Sequence, residues 1–488
     1  MTAARTALLQ MLASRLLALL ATVVGFAVLG RLLKPEDFGH FAIAAAAFYM
    51  LKNLANFGLR QYMIRSDREI DPAALASATG LSFTIAAVAC FLFIGAGTLL
   101  SGEVIPEPVA NALVPLGIAL LAGPLILGVE VQLQRALDFR VFARTMILAT
   151  VLEVSVAIAL ALLGYGAVAL ALGLLSSQFA TAFVLLVFGG AKYLSLPRFA
   201  PSSFRVFLEF GSRLSVINLL PNLVTLILIG ALGALAGPAV TGLYNRAKTI
   251  FDLLDRIVLE GASPVILPIM SDALRRGVSP QRVLATKLDY LTALCWPALA
   301  LIGLLAEPLI FVLLGPQWDA VVPALRILAL SGLALPFTKM SVKLFTAIDA
   351  LGAYLKIQFA FQVATLALGT AAAAISLEAF CAAITATLIG KAVWIGLWLY
   401  WRYEAGGSGI RLALGRGAGV AVATVAVPAL LLAAGGLGPF ALLAASLPAA
   451  GLVWLGSLLV TRHPLAGDLQ AVVFKPVRRA VLRTGAFR

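Results

Sequence analysis

The chain has 488 residues, 62% of them hydrophobic and only 12% charged, and a net charge of +14. Apolar runs of about 20 residues, the length that crosses a bilayer as a helix, recur from end to end. They leave no room for a soluble domain of ordinary size. The basic excess is dispersed between the runs, so a nucleic-acid partner is excluded and a membrane topology signal is left.

The runs predict an all-α polytopic membrane protein of about 14 transmembrane helices. In chain order the predicted spans cover 7–30, 38–59, 73–100, 109–132, 145–163, 167–189 and 207–230, then 240–262, 289–314, 321–345, 357–376, 378–400, 417–434 and 440–461. The first run is long and continues into a polytopic series, so it reads as a retained span rather than a cleaved signal. Span 1 passes to span 2 through Lys34-Pro35-Glu36-Asp37-Phe38-Gly39. Pro and Gly stop one helix there, and Glu36 and Asp37 sit where the dipole of the next helix favours anions. The other connections on that side are also brief, such as Gly164-Tyr165-Gly166.

Connections on the opposite side carry the basic residues, for example Arg60, Arg65 and Arg68, Arg135, Arg140 and Arg144, and Arg402, Arg411 and Arg416. The positive-inside rule then predicts cytoplasmic termini and an even number of spans. The basic tail, 462–488, is expected to attract anionic membrane lipids.

Gly30, Pro35, Gly39 and Phe41 recur at one constant offset as Gly233, Pro238, Gly242 and Tyr244, each set reading Gly-x4-Pro-x3-Gly-x-aromatic. The same offset pairs Thr22 with Thr225, Phe48 with Phe251 and Gly58 with Gly261. Related halves in a membrane protein point to a transporter built around their interface. Two pseudo-symmetric six-helix lobes are expected, 1–205 and 206–400, followed by two additional helices within 401–461. Spans 13 and 14 lie outside the repeat and hold no ionisable residue, so they are expected to pack at the periphery.

Ionisable groups inside a span are expensive and usually face a cavity or a partner. Span 8 is densest: Asn245, Lys248, Asp252, Asp255 and Arg256 share one helical face, with Lys248–Asp252 and Asp252–Arg256 at i,i+4 spacing. That pattern suits a self-neutralised ladder and equally the wall of a hydrated cavity. Span 7 aligns Asn218, Asn222 and Thr225, span 2 aligns Tyr49, Lys52, Asn53 and Asn56, and span 10 carries Lys339 and Lys343. Arg15 lies about two turns into span 1. These cavity candidates come from both halves and are mostly cationic, which suits an anionic substrate, since Lys and Arg bind phosphate strongly. Glu130, Glu153 and Glu378 are isolated membrane acids, read first as structural and second as sites for a coupling ion.

No Gly-x4-Gly-Lys-[Ser/Thr] phosphate loop occurs, so ATP hydrolysis is not expected of this chain. Cys90, Cys295 and Cys381 stand alone, and His40 and His463 are predicted on opposite sides, so neither a metal nor a cofactor is expected.

The segment 30–39, together with Gly242-Leu243-Tyr244-Asn245-Arg246-Ala247 and the stretch from Gly315-Pro316-Gln317-Trp318-Asp319 to Pro323, resembles the helix junctions of Wzx-type bacterial polysaccharide exporters. These belong to the superfamily of multidrug, oligosaccharidyl-lipid and polysaccharide exporters. The resemblance implies an inner-membrane flippase, not an enzyme, that carries an oligosaccharide on a polyprenyl diphosphate by alternating access between two lobes. Glycan polymerases or glycosyltransferases are the implied partners. The motifs are junction residues and transfer no substrate contacts. The alternative is a cation- or proton-coupled multidrug antiporter of the same superfamily, against which stands Arg15, with no acid, in span 1. A membrane glycan polymerase is a third reading, disfavoured by connections too short to enclose a sugar donor.

Overall fold

A computed structural model describes residues 2–56, 72–135, 139–189, 197–198, 219–255, 270, 272–403 and 408–469. For residues 2–16 and several helix ends it describes the backbone alone. The described residues are helical almost throughout and hold no strand beyond one isolated bridge between Ser101 and Ile105. Among them, nine helices are long and apolar enough to cross a membrane, or ten if one bent pair is a single span. The protein is therefore an all-α, multi-pass membrane protein. The chain packs as two compact units, Met1–Asn245 and Arg246–Arg488.

The first unit contains α1 (Thr2–Leu32), α2 (Pro35–Asn56), α3 (Pro72–Leu99), α4 (Glu107–Leu120), α5 (Ala122–Arg135), α6 (Phe139–Leu162), α7 (Ala167–Gly189), α8 (Leu219–Leu235) and the first turns of α9 (Pro238–Asp255). Proline opens α2, α3 and α9, where its missing N–H is an orphan in any case. Gly164 and Gly237 close the preceding helices at φ +85° and +91°, a region open to glycine. The span formed by α4 and α5 is 72% buried and so lies at the centre of this unit. Its core joins Phe48 of α2, Ala86 and Phe93 of α3, Leu113 and Leu116 of α4 and Leu174 of α7. Gly173 brings α7 against the backbone of α6, where an added Cβ would stand 2.8 Å from the Glu153 carbonyl.

The second unit is organised on α10 (Pro280–Leu304), followed by α11 (Ala306–Leu313), α12 (Val321–Ser331), α13 (Leu335–Ala347), α14 (Leu351–Ala373), α15 (Leu377–Tyr403), α16 (Ser408–Ala434), α17 (Pro439–Val460) and α18 (Pro464–Leu469). α12 and α13 are the bent pair, turning by 41° around Gly332, which packs onto Leu299 of α10. The main core collects Leu284, Leu288 and Leu291 of α10, Met340, Leu344 and Phe345 of α13, Tyr354 and Ile357 of α14 and Ile395 and Leu399 of α15.

Spans 13 and 14 correspond to α16 and α17; only 28% and 17% buried, they are peripheral as expected, and they are tied to α10 at defined points. α16 packs along α10, and Gly417 lies so near Thr292 that a Cβ there would stand 2.3 Å from its hydroxyl. The Trp454 Nε1–H of α17 donates to the Ala293 carbonyl at 2.8 Å. α16 also begins at Ser408, ahead of the predicted 417, and α10 at Pro280, ahead of the predicted 289. These earlier starts place Arg416 and Asp289 inside helices.

Candidate functional site

The two copies of the repeated junction meet inside the first unit. An ideal Cβ on Gly39 of α2 would lie 1.7 Å from the carbonyl oxygen of Pro238, and one on Gly242 of α9 would lie 1.8 Å from that of Pro35. The contact is reciprocal, each repeat's glycine facing the other repeat's proline. Only glycine permits so close an approach, and a Cα–H directed at a carbonyl makes it weakly favourable. Gly233 continues the contact against Ile43. The start of α2 is fixed locally as well. The Lys34 backbone N–H donates to Asp37 Oδ2 at 3.0 Å, the return half of a capping box.

Further along α2, Phe48 is fully buried while Tyr49 and Asn53 are exposed and Lys52 is half-buried. Lys52 Nζ donates to Gln178 Oε1 of α7 at 2.6 Å and lies 5.8 Å from the centre of the Phe48 ring. Asn222 and Asn245 are half-buried. The side chains of Arg15, Asn56 and Asp255 are not among those described, and Asn218 and Arg256 lie outside the described residues altogether.

In the second unit, Lys248 Nζ meets Asp252 Oδ2 at 2.5 Å, each side chain 36% exposed. This is the first rung of the expected ladder, and its continuation to Arg256 lies outside the described residues. On α13, Lys339 is exposed and Lys343 half-buried, one turn apart. Glu378 is exposed in the first turn of α15, the position in which an acid complements the helix dipole.

Two polar clusters of the second unit are invisible to helical periodicity. Lys391 of α15 is buried, reaches Gln358 Oε1 and the Tyr354 hydroxyl of α14, and lies 5.2 Å from the Tyr354 ring centre. Asp289 of α10 receives Arg416 Nη1 of α16 at 3.2 Å and stands 3.2 Å from His463 Nε2. His463 Nδ1 accepts from the Leu465 N–H at 3.2 Å. The first joins two consecutive helices, and the second joins residues 127 positions apart. The sole advance signal is a lone charge in or beside an apolar run.

Residues 28–323 match the sequence model of the family described as "Polysaccharide biosynthesis protein". The succinoglycan biosynthesis transport protein ExoT of Rhizobium meliloti (strain 1021) is 29% identical over 315 residues, a match covering 62% of this chain and 61% of that protein's length. Among solved structures, the lipid II flippase MurJ in its inward closed conformation superposes with a TM-score of 0.74 at 13% identity, covering 94% of this chain and 98% of that one. An inward-facing multidrug resistance transporter of the MATE family, MOP superfamily, gives 0.61 at 16% identity, covering 81% and 95%. At these identities the likeness is one of fold.

Proposed function

Because the chain belongs to the polysaccharide biosynthesis protein family, we propose that it is a flippase that moves a polyprenyl-diphosphate-linked oligosaccharide across the bacterial inner membrane by alternating access. It does so without catalysis, with about 14 spans and both termini cytoplasmic. The observation that carries this reading is a set of cationic side chains within helices of both expected lobes: Lys52 on α2, Lys339 and Lys343 on α13, and Lys248 on α9, which is paired with Asp252. Lysines kept within spans are costly and are retained where an anion or a hydrated cavity needs them. Lys52 Nζ donates to a neutral amide, Gln178 Oε1, a contact that positions its ammonium group.

In this reading the diphosphate is gathered by these groups at the inner face, the glycan fills the hydrated space and the prenyl tail stays in lipid. A carrier with about two negative charges gains roughly 4.6 kcal/mol on moving outward through an inside-negative potential of about 100 mV. Movement therefore has a driving force without nucleotide hydrolysis. Glycan polymerases and glycosyltransferases supply and consume such a cargo and are the proposed partners.

The test is reconstitution with labelled lipid-linked glycan under an imposed potential. Flux is expected to rise with an inside-negative potential, and Lys52→Ala, Arg256→Ala and Lys343→Ala are expected to lower it by about tenfold, as for the loss of a charge-assisted phosphate contact. If all three variants carry glycan normally at normal abundance, the cationic-cavity mechanism is wrong. Cation-dependent drug efflux with unchanged glycan flux would move the assignment to an antiporter.

A further inference from the structure

Where α10 and α16 begin, the second unit holds a cavity of about 470 Å3 whose lining includes Ser279, Arg282, Thr286, Gly409 and Arg416. Two helix N-termini converge there. At the start of α10, Ser279 makes no side-chain cap, Pro280 has no N–H, and the first backbone bond of the helix is Val283 N–H to the Ser279 carbonyl at 3.1 Å. The N–H groups of Gln281 and Arg282 precede that bond and so lack an acceptor within the helix. The start of α16 lies against the same turn, with Gly409 beside Ala285. Two positive dipole ends thus meet two guanidinium groups and one carboxylate, Asp289, which also lines the cavity. Asp289 is engaged by Arg416, so Arg282, which is exposed, stands as surplus positive charge.

A second feature points to what sits there. Gln281 is 6% exposed, and its Nε2–H donates to the Leu399 carbonyl at 3.2 Å. Its Oε1 has no hydrogen-bond partner among the described residues. A buried acceptor left bare is costly, so a donor belongs beside it. Gln281 and Ile410 also line a second, apolar cavity of about 730 Å3 walled by Trp296, Phe337, Leu397 and Tyr400. From Gln281 to Trp296 the helix rises about 22 Å, close to the depth of one leaflet with its headgroup zone. Beyond Trp296 and Leu333 an apolar trough continues along α10.

We propose that this polar cavity and its apolar extension bind one anionic glycerophospholipid whose headgroup carries hydroxyls, of the phosphatidylglycerol type. The phosphodiester meets the two helix starts and Arg282, a glycerol hydroxyl donates to Gln281 Oε1, and an acyl chain lies along Trp296. The attached apolar groove selects a lipid over free phosphate. The surplus charge selects an anionic headgroup over a zwitterionic one, and the bare acceptor selects a hydroxyl-bearing headgroup over a prenyl phosphate. The bound lipid bridges α10 and α16. The site stands independently of the cargo proposed above.

Native mass spectrometry of the full-length protein released from detergent tests this with four probes: dioleoylphosphatidylglycerol, dioleoylphosphatidylcholine, inorganic phosphate and undecaprenyl phosphate. Phosphatidylglycerol should be retained about tenfold more than phosphatidylcholine, the scale of a charge-assisted contact. Arg282→Glu, and separately Thr286→Trp at the exposed rim, should abolish that preference. Arg275→Glu, a basic residue paired with Asp272, should keep it. Equal retention of the two lipids, or an unchanged preference in both rim variants, overturns the proposal. Displacement of phosphatidylglycerol by inorganic phosphate assigns a simple anion site instead, and displacement by equimolar undecaprenyl phosphate assigns the cavity to the carrier lipid. Either result also overturns it.

Discussion

Two close helix contacts in this protein are built from opposite materials. In the first unit, α2 meets α9 through bare backbone, with Gly39 against Pro238 and Gly242 against Pro35. In the second, α10 and α16, which also approach closely at Gly417, are locked by side chains, with Asp289 gripping Arg416 and facing His463. The glycine contact leaves no buried charge behind when it opens, because dispersion and weak C–H···O contacts are all that is lost. The ionic contact cannot open cheaply, since separation strands a carboxylate whose side chain is only 11% exposed. Contacts of the first kind part at low cost, and contacts of the second kind do not.

The largest effect should come from breaking the ionic contact. Asp289→Ala leaves Arg416 without its carboxylate and is expected to cost about 3–5 kcal/mol, read as a fall in the thermal unfolding midpoint in detergent. Replacing both partners with apolar residues, as in Asp289→Leu with Arg416→Met, should restore most of that stability. If the double variant is as unstable as the single one, packing rather than charge holds α16.

A methyl at either crossing glycine comes next. Gly39→Ala and Gly242→Ala each force the two helix starts apart and should cost about 1–3 kcal/mol. The double variant should fall short of the sum, because the first separation makes room for the second methyl. Gly95→Ala, with nothing within 4 Å of the new atom, is the matched control. Full additivity would mean that the two contacts are independent and the reciprocal crossing is not one structural unit. The smallest effect is expected from Asp37→Ala, which removes only the capping bond to Lys34 and should cost from a few tenths to about 1 kcal/mol.

Local patterns carried much of this in advance. The Gly-x4-Pro-x3-Gly-x-aromatic repeat marks both helix starts because the need for a proline at one position and a bare Cα at another is local. What it does not say is that the two copies touch each other. The face of α2 bearing Tyr49, Lys52 and Asn53 follows from the helical period, yet the partner of Lys52 is Gln178, 126 positions away. Lys391 and its partners on α14 escape the period entirely, since one lysine in an apolar run has no phase. Spans 13 and 14 are peripheral, as expected, only 28% and 17% buried, yet how they are anchored was not legible. Composition makes them lipid-facing, but the residues that tie them down are Arg416 and Trp454, and their targets, Asp289 and the Ala293 carbonyl, are on α10.

The amino-acid order alone determined that this chain is a helical, multi-pass membrane protein with cations placed within its helices. Those properties follow from hydrophobic run length and from the cost of charge in lipid, both readable within a short window. Tertiary structure alone decided which glycine faces which proline, which carboxylate holds Arg416, and where two helix starts and a bare amide oxygen enclose a cavity. Those contacts join residues more than a hundred positions apart, and a bilayer that solvates every apolar helix face equally well supplies no local rule for choosing among them.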